Sequence, residues 1–395
     1  MERKTVMFNE KRAVKVFEIL NDFWLNEKGM FKDVILPQDL WIPDGWERLS
    51  PQEQANFFLF AALPMRGGRV SEDPFKWLQK LWIMFPEFFD VKIIAEILTP
   101  EYMKEAIKAT TNEILDGPGI GQLGGGSLSY KMEEHIPNWI TNATALYRHW
   151  NGNLLNVFAG VSEFEEPFGK IDYKKYKKRD PRREKCFYGV RRKIISLLTI
   201  FLQEKNLIPI FPTPIPVDFH AQRILWQTDI INPNNWVKLF TPTKEKHPKE
   251  LAGKLSVHVW ERFTDQIAIW SQSFLQKIGI SHMVINPALW VLSRTLCAEH
   301  LQTSSRDKGQ TFYTAEKLEK NPHLWSKNRK NPCEFCPIEK FCGWCIPANP
   351  YYSDGYLIRI ERIPHSSSRL SGIDWVNLGP TYKVRKNKNR GAIKS

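Results

Sequence analysis

The placement of cysteines is the feature of this sequence that most restricts what the chain can fold into. Four of its six cysteines lie within the segment "NPCEFCPIEKFCGWC", at Cys333, Cys336, Cys342 and Cys345. They are separated by two, five and two residues. Thiols gathered at such short intervals belong to a set of disulfides, a redox motif or a metal centre. The C-terminal part of the fold must therefore be organised around one of these three.

Charge and apolar content decide between these possibilities. The 395 residues include 56 basic and 43 acidic side chains, a net charge of +13, which indicates a polyanionic partner, nucleic acid before an anionic membrane. The first 14 residues contain no apolar signal-peptide core, and apolar runs such as "IISLLTIFL" are too short to span a bilayer. We therefore expect no secretion signal, no membrane association and a cytoplasmic (nucleoid-associated) or nuclear protein. Disulfides are disfavoured in the cytoplasm and the nucleus, so metal binding or catalysis remains as the role of the cysteines.

Helical patterns account for most of the chain, and the predicted fold class is all-α. Apolar residues recur at helical spacing, or form continuous runs of helical length, in five segments. These are "QANFFLFAALPM", "PFKWLQKLWIMF", "PNWITNATALYRHW", "RRKIISLLTIFLQEK" and "PALWVLSRTLCAEHL". The best strand signal is "YLIRIERI" at residues 356–363. The many aromatic side chains are interpreted as core packing.

A glycine-rich segment offers a second, weaker motif. "GIGQLG" at residues 119–124 matches the dinucleotide-binding pattern, which needs a strand before it and a helix opening from it. The helical run "PEYMKEAIKATTNEIL" precedes it instead. We therefore predict a loop at these glycines and no nucleotide cofactor.

Two further segments contain candidate chemical groups. "CFYGVRRKIISLLTIFL" is a short turn that opens an apolar helix, with Lys193 near the start of that helix. "FPTPIPVDFHAQRIL" is a proline-rich loop that leads into a helix, which Asp218 is placed to cap. If each segment is considered alone, Asp218 is sufficiently explained as an N-cap and Lys193 as a solvated side chain.

Together with the cysteines, and in this order, these segments resemble the helix-hairpin-helix DNA glycosylase superfamily, in its endonuclease III-like branch. That family has a hairpin of the type LPGVGRKTA, then VDTHxxR, then an iron–sulfur motif C-x6-C-x2-C-x5-C. Here "GVRRK" (residues 189–193), "VDFHAQR" (217–223) and Cys333-x2-Cys336-x5-Cys342 stand in those places. The resemblance covers about residues 51–342 and departs from the family at Arg191, which replaces the second hairpin glycine.

The resemblance implies two helical lobes with duplex DNA bound in the cleft between them. Residues 51–201 would form a helical bundle that contains the hairpin. Residues 1–50 would join residues 202–345 in an iron–sulfur lobe, and residues 346–395 would be a basic C-terminal extension. We expect a monomer.

The resemblance also implies the ligands of a 4Fe–4S cluster. These are Cys297, Cys333, Cys336 and Cys342, although 35 residues rather than six separate the first two. Cys345 would then be a spare thiol and Cys186 a buried apolar residue. The compact set Cys333, Cys336, Cys342 and Cys345 remains the alternative, and it would suit tetrahedral zinc equally well.

By the same resemblance, Asp218 and Lys193 are the catalytic candidates of a DNA glycosylase. Asp218 would stabilise the positive charge that develops on the sugar as the base leaves. Lys193 would form a Schiff base at C1′ and add AP lyase activity. Two alternatives stay open: a monofunctional glycosylase with Asp218-activated water, and a non-enzymatic nucleic-acid-binding protein with a zinc site. His220 is interpreted as structural.

Expected DNA contacts fall into three groups. The hairpin contributes Gly189, Arg191 and Arg192. The basic insert at residues 170–185, with nine basic and three acidic residues, contributes Lys174, Lys175, Lys177 and Lys178. The segment "LPMRGGR" stands where the family has its wedge loop, so Leu63 or Met65 would fill the gap left by the flipped base.

Overall fold

The computed structural model describes residues 6–65, 72–116, 132–232, 237–238, 251–256, 260–293, 336–342, 344–345 and 356–361. Within these residues the chain is mostly helical, as the all-α prediction requires. Two small sheets, which that prediction did not include, accompany the helices. None of the described helices is long and apolar enough to cross a membrane.

The helices and strands have the following bounds. The α-helices are α1 Glu10–Leu25, α2 Pro37–Leu40, α3 Pro51–Ala62, α4 Glu72–Met84, α5 Val91–Glu96, α6 Pro100–Asp116, α7 Met132–Trp150, α8 Glu165–Ile171, α9 Arg192–Glu204, α10 Phe219–Gln227, α11 Trp260–Ile278 and α12 His282–Leu292. The strands are β1 Met7–Phe8, β2 Ile231–Asn232, β3 Val237–Lys238, β4 Leu251–Ser256, β5 Trp344–Cys345 and β6 Tyr356–Glu361. Short 3₁₀ helices include Tyr173–Lys175, Pro181–Lys185 and Glu339–Phe341.

The chain divides into two compact units. One is Ile35–Pro216, which we call the hairpin unit. The other combines Met1–Val34 with Val217–Ser395, and we call it the cysteine unit. The breaks fall at residues 34/35 and 216/217, whereas the sequence-based boundaries were drawn at 50/51 and 201/202.

The core of the hairpin unit is built around α3. Ser50 and Glu53 form a reciprocal capping box at its start, and the helix is then buried from Ala55 onward. Its aromatic side chains pack against rings from other helices; the Phe60 ring, for example, stacks on Trp139 with centroids 4.7 Å apart. α3 also packs against α9. The aromatic segments are therefore core packing, as predicted.

The cysteine unit combines helices with both sheets. α1 and α10 pack against α12, and β1 pairs with β2 in antiparallel register. The second sheet has the strand order β3-β4-β6-β5, with all neighbours antiparallel. The predicted strand at residues 356–363 is confirmed as β6.

The helix predicted before the glycine-rich segment is confirmed as α6, which ends at Asp116. The motif at residues 119–124 itself lies outside the described residues, so the loop prediction stays a prediction.

Candidate nucleic-acid interface and catalytic residues

The predicted hairpin is a tight turn at residues 187–190, between the 3₁₀ helix Pro181–Lys185 and α9. The Val190 backbone N–H donates to the Phe187 carbonyl at 3.4 Å. Gly189 has φ +77°, a left-handed value that glycine adopts without a Cβ penalty. Phe187 and Val190 are both buried, so the two ends of the turn are anchored in the core.

A buried amide holds the backbone of this turn. Asn142, on α7, is fully buried; its Nδ2 donates to the Tyr188 carbonyl at 3.0 Å and its Oδ1 accepts from the Tyr188 N–H at 2.5 Å. The Phe187 N–H donates to the Ile171 carbonyl at 3.0 Å. Sequence reasoning missed Asn142, although an asparagine on the apolar face of a helix is a signal for a buried polar contact. The turn is thus fixed in shape by contacts inside the unit.

Two of the predicted phosphate contacts in the hairpin are buried. Gly189 is buried, and the Arg192 guanidinium forms an ion pair with Glu165, with Nη2 3.2 Å from Oε2. The same guanidinium lies 4.4 Å from the centroid of the Phe168 ring. This placement favours a structural role for Arg192, which ties the start of α9 to α8. Arg191 is the N-cap residue of α9 and is half-buried.

Lys193 is the second residue of α9 and is half-buried. Its Nζ donates to the backbone carbonyl of Met65 at 3.2 Å. The ammonium group therefore lies beside the first residues of the segment in which the sequence suggested a wedge loop.

The wedge prediction for Leu63 conflicts with its position. Leu63 is only 4% exposed and belongs to the core at the C-terminal end of α3. A side chain that fills a gap in DNA must project from the surface. Met65 is partly buried against the same core, and residues 66–69 of the segment lie outside the described residues.

Asp218 caps α10, as the sequence predicted. Its Oδ1 accepts from the Ala221 N–H at 2.9 Å, and the residue is half-buried. Val217, immediately before it, is buried and fixes the approach of the chain. The cap holds the carboxylate in a defined orientation at the positive end of the helix.

Polar contacts anchor α10 to the end of α12. The fully buried Arg223 donates from Nη1 to the Ser293 carbonyl at 2.8 Å and to Ser293 Oγ at 3.1 Å. His220 Nδ1 lies 3.0 Å from the same hydroxyl oxygen, and the His220 ring meets the edge of Trp290. These contacts agree with the structural interpretation of His220. Arg223, His220 and Asp218 all belong to the "VDFHAQR" segment, so the same segment both caps α10 and anchors it to the end of α12.

The cysteines are described only in part. Cys336 and Cys342 are half-buried and flank the 3₁₀ helix Glu339–Phe341, where the Cys342 N–H donates to the Glu339 carbonyl at 2.9 Å. Arg12 anchors this segment to α1 through a 2.6 Å hydrogen bond to the Phe341 carbonyl. Cys297 and Cys333 lie outside the described residues. Within the described part of the chain, no three His, Cys, Asp or Glu side chains could hold a metal, so both quartets stay predictions.

Cys186 matches its predicted role as a buried apolar residue. It is 3% exposed, and its thiol contacts the Arg182 carbonyl at 3.4 Å. Burial raises the pKa of Cys186 to about 11, so the reactive thiolate is scarce at neutral pH.

The basic insert is folded, and it presents its charge to solvent. Its two 3₁₀ helices are capped by Asp172, which accepts from the Lys174 N–H, and by Asp180, which accepts from the Arg182 N–H. The predicted DNA contacts Lys174, Lys175, Lys177 and Lys178 are all exposed, as is Arg179. In the hairpin unit, the cations of the candidate interface that face solvent thus lie on the insert rather than on the hairpin turn itself.

No protein-family model, curated protein or solved structure matches this chain.

Proposed function

We propose that this protein is a DNA glycosylase that removes a damaged or modified base by cleaving its N-glycosidic bond. The observation that carries the proposal is the "VDFHAQR" segment, in which Asp218 caps α10 and Arg223 anchors that helix to Ser293. The charge of +13 and the exposed cations of the insert support a DNA partner.

The proposed chemistry begins with extrusion of the target nucleotide, because C1′ is otherwise out of reach in the stacked duplex. As the C1′–N bond breaks, its electron pair leaves with the base and positive charge develops on the sugar. The Asp218 carboxylate stabilises that charge electrostatically. Its orientation by the Ala221 N–H prepares it for this role before DNA binds.

Lys193 supplies the proposed second activity. Its amine, once deprotonated, attacks C1′ and forms an imine with the opened sugar, and loss of the C2′ proton then expels the 3′ phosphate. This is the AP lyase step. The contact between Lys193 Nζ and the Met65 carbonyl has to be given up for that attack, which favours the second candidate, a monofunctional glycosylase in which Asp218 activates water.

Cys297, Cys333, Cys336 and Cys342 would hold a 4Fe–4S cluster, whose contribution is to stabilise the fold and orient DNA. The proposed partner is duplex DNA, bound by a monomer. A zinc-stabilised nucleic-acid-binding protein without catalysis is the remaining alternative, and it makes the occurrence of Lys193 and Asp218 in these two motifs coincidental.

Two single variants, one at Asp218 and one at Lys193, test the proposal on a panel of duplexes that each contain one modified base. Asp218→Asn keeps the N-cap, since asparagine caps as well as aspartate, but removes the charge. Base release should slow by roughly 10²–10³-fold while DNA affinity stays nearly unchanged. Lys193→Ala should abolish borohydride trapping of the protein on DNA and strand cleavage.

The controls separate the candidates. Glu163→Gln, at an exposed carboxylate of the hairpin unit, should leave base release unchanged. Base release without trapping by the parent protein would select the monofunctional enzyme. Tight binding without base release from any duplex would overturn the proposal in favour of the non-enzymatic protein.

A further inference from the structure

The basic insert and the hairpin turn meet in a row of aromatic and cationic side chains. The rings of Tyr173 and Tyr188 lie against each other, with centroids 4.7 Å apart and planes tilted by 33°. The Arg183 guanidinium lies 5.3 Å from the centroid of the Tyr173 ring. We call this row of Arg183, Tyr173 and Tyr188 the tyrosine ladder. It joins the insert to the turn through side chains that can all stack on planar groups.

Tyr188, at the end of the ladder, is unusually well held for an exposed aromatic residue. The residue is 46% exposed, yet its backbone N–H and carbonyl are both bonded to the buried Asn142. Its neighbours on either side in the turn, Phe187 and Gly189, are buried. A large ring is thus presented to solvent on a rigid support, so little conformational entropy would be lost when a ligand stacks on it.

The surroundings of the ladder indicate the kind of ligand. Lys174, Lys175 and Lys185 are exposed, and each lies within two residues of Tyr173 or Arg183 in the sequence. Cations of this kind are sufficient to bind duplex DNA through its phosphates. The bases of a duplex are already stacked on one another and have no free face for an aromatic side chain. Exposed aromatic rings combined with cations are the arrangement that binds unpaired nucleotides, whose bases have free π-faces.

We propose that the tyrosine ladder is a binding platform for single-stranded nucleic acid, in which an unpaired base stacks on Tyr188 and the adjacent lysines contact its phosphates. The platform lies outside the proposed catalytic pair and does not depend on base excision. An unpaired DNA segment next to the duplex would be held there. Asp218→Asn should leave this binding unchanged, so failure of one proposal does not entail failure of the other.

Three oligonucleotide ligands of equal length test the platform with the full-length protein: oligo-dT, an oligonucleotide of abasic sites, and a duplex. Tyr188→Ala should weaken binding to oligo-dT roughly 5- to 100-fold, the range that loss of one stacked base produces. Binding to the abasic strand and to the duplex should change less than about twofold, because those ligands offer the phosphates but no free base to stack. Fluorescence anisotropy of labelled ligands measures all three.

Two variants control for side effects. Tyr188→Phe keeps the ring and should bind oligo-dT like the parent protein. Tyr102→Ala removes a tyrosine of similar exposure on α6 and should also have no effect. Irradiation of oligo-dT that contains 5-iodouracil should cross-link it to the tryptic peptide that includes Tyr188.

Equal losses on all three ligands would overturn the proposal and leave the insert as a general anion-binding surface. The same conclusion would follow if the parent protein bound the abasic strand as tightly as oligo-dT. Unchanged oligo-dT binding by the Tyr188→Ala protein would assign the ladder to internal packing alone.

Discussion

A carboxyl group near the end of α9 links the stability of the hairpin unit to pH. Glu204 is half-buried, and its Oε2 accepts a hydrogen bond from Gln38 Nε2 at 3.0 Å. Burial raises the pKa of Glu204 from 4.5 to about 7, so the folded state binds this proton more tightly than the unfolded state. The contribution of Glu204 to stability should therefore decrease as the pH rises from about 4.5 to 7, and it should be lost above that range.

The Glu204→Gln variant should remove this pH dependence, since glutamine imitates the protonated carboxyl group. Near pH 4.5 its free energy of unfolding should equal that of the parent protein. At pH 8 the variant should be more stable by about 1–3 kcal/mol, according to the size of the pKa change. Urea denaturation at both pH values measures the difference.

The difference in stability between variant and parent does not include the titration of other groups, because these are the same in both proteins. His282 is one such group, and its burial lowers its pKa to about 4. Glu163→Gln serves as a control, because this carboxyl group is exposed. A stability difference that is constant with pH, or that grows toward acid pH, would contradict the assignment to Glu204.

At the scale of single residues, the sequence predicted local contacts better than distant ones. Asp218 was expected to cap α10, and it does, because a cap depends on the next three residues. Arg192 and Leu63 were expected at a DNA surface but are buried. Their burial depends on Glu165 and on the core around α3, which are distant along the chain. Asn142 escaped notice for the same reason, since its partner lies 46 residues away.

At the scale of elements, apolar periodicity predicted several helices but did not single out α1 or α11, and of the strands that the structure describes it predicted β6. α3, α4, α7 and α9 coincide with predicted segments, and β6 has the alternating pattern of a strand. β3 and β5 have two residues each, too few for a periodic signal. Such short strands exist only because neighbouring strands supply hydrogen bonds, so they cannot be read from their own residues.

The basic insert is the element whose charge has a measurable consequence for DNA binding. Lys177, Lys178 and Arg179 are consecutive and exposed. Replacement of all three by glutamate should weaken binding to any duplex, because phosphate contacts are independent of sequence. The slope of log K against log salt should flatten by roughly one for each cation that contacts a phosphate. Anisotropy titrations at several salt concentrations measure the slope.

A matched triple variant uses Lys11, Lys15 and Lys108, which are also exposed but lie outside the insert. It changes the net charge by the same amount and should leave the salt slope nearly unchanged. Equal slopes for the two triple variants would assign the effect to overall charge. An unaltered slope in the insert variant would make the insert a solvated surface loop.

At the scale of the whole molecule, the order of motifs favours one set of metal ligands. The hairpin, the Asp218 segment and the cysteines stand in the order that the resemblance to the endonuclease III-like family requires, and the resemblance implies Cys297, which lies outside the described residues, as the first ligand. Cys336 and Cys342 flank one 3₁₀ helix that Arg12 anchors to α1. A metal bound there would stabilise the cysteine unit, because the ligands come together only in the folded chain and the free energy of metal binding then adds to that of folding.

Metal analysis of anaerobically purified protein distinguishes the quartets. The parent protein should contain about four iron atoms per chain and absorb broadly in the visible range. Cys297→Ser should lose iron or lower the yield of folded protein, whereas Cys345→Ser should do neither, since only the first removes a ligand of the favoured quartet. Cys186→Ser tests for a general effect of thiol loss and should retain iron. Iron loss in Cys345→Ser but not in Cys297→Ser would select the compact quartet, and zinc without iron would select the tetrahedral site.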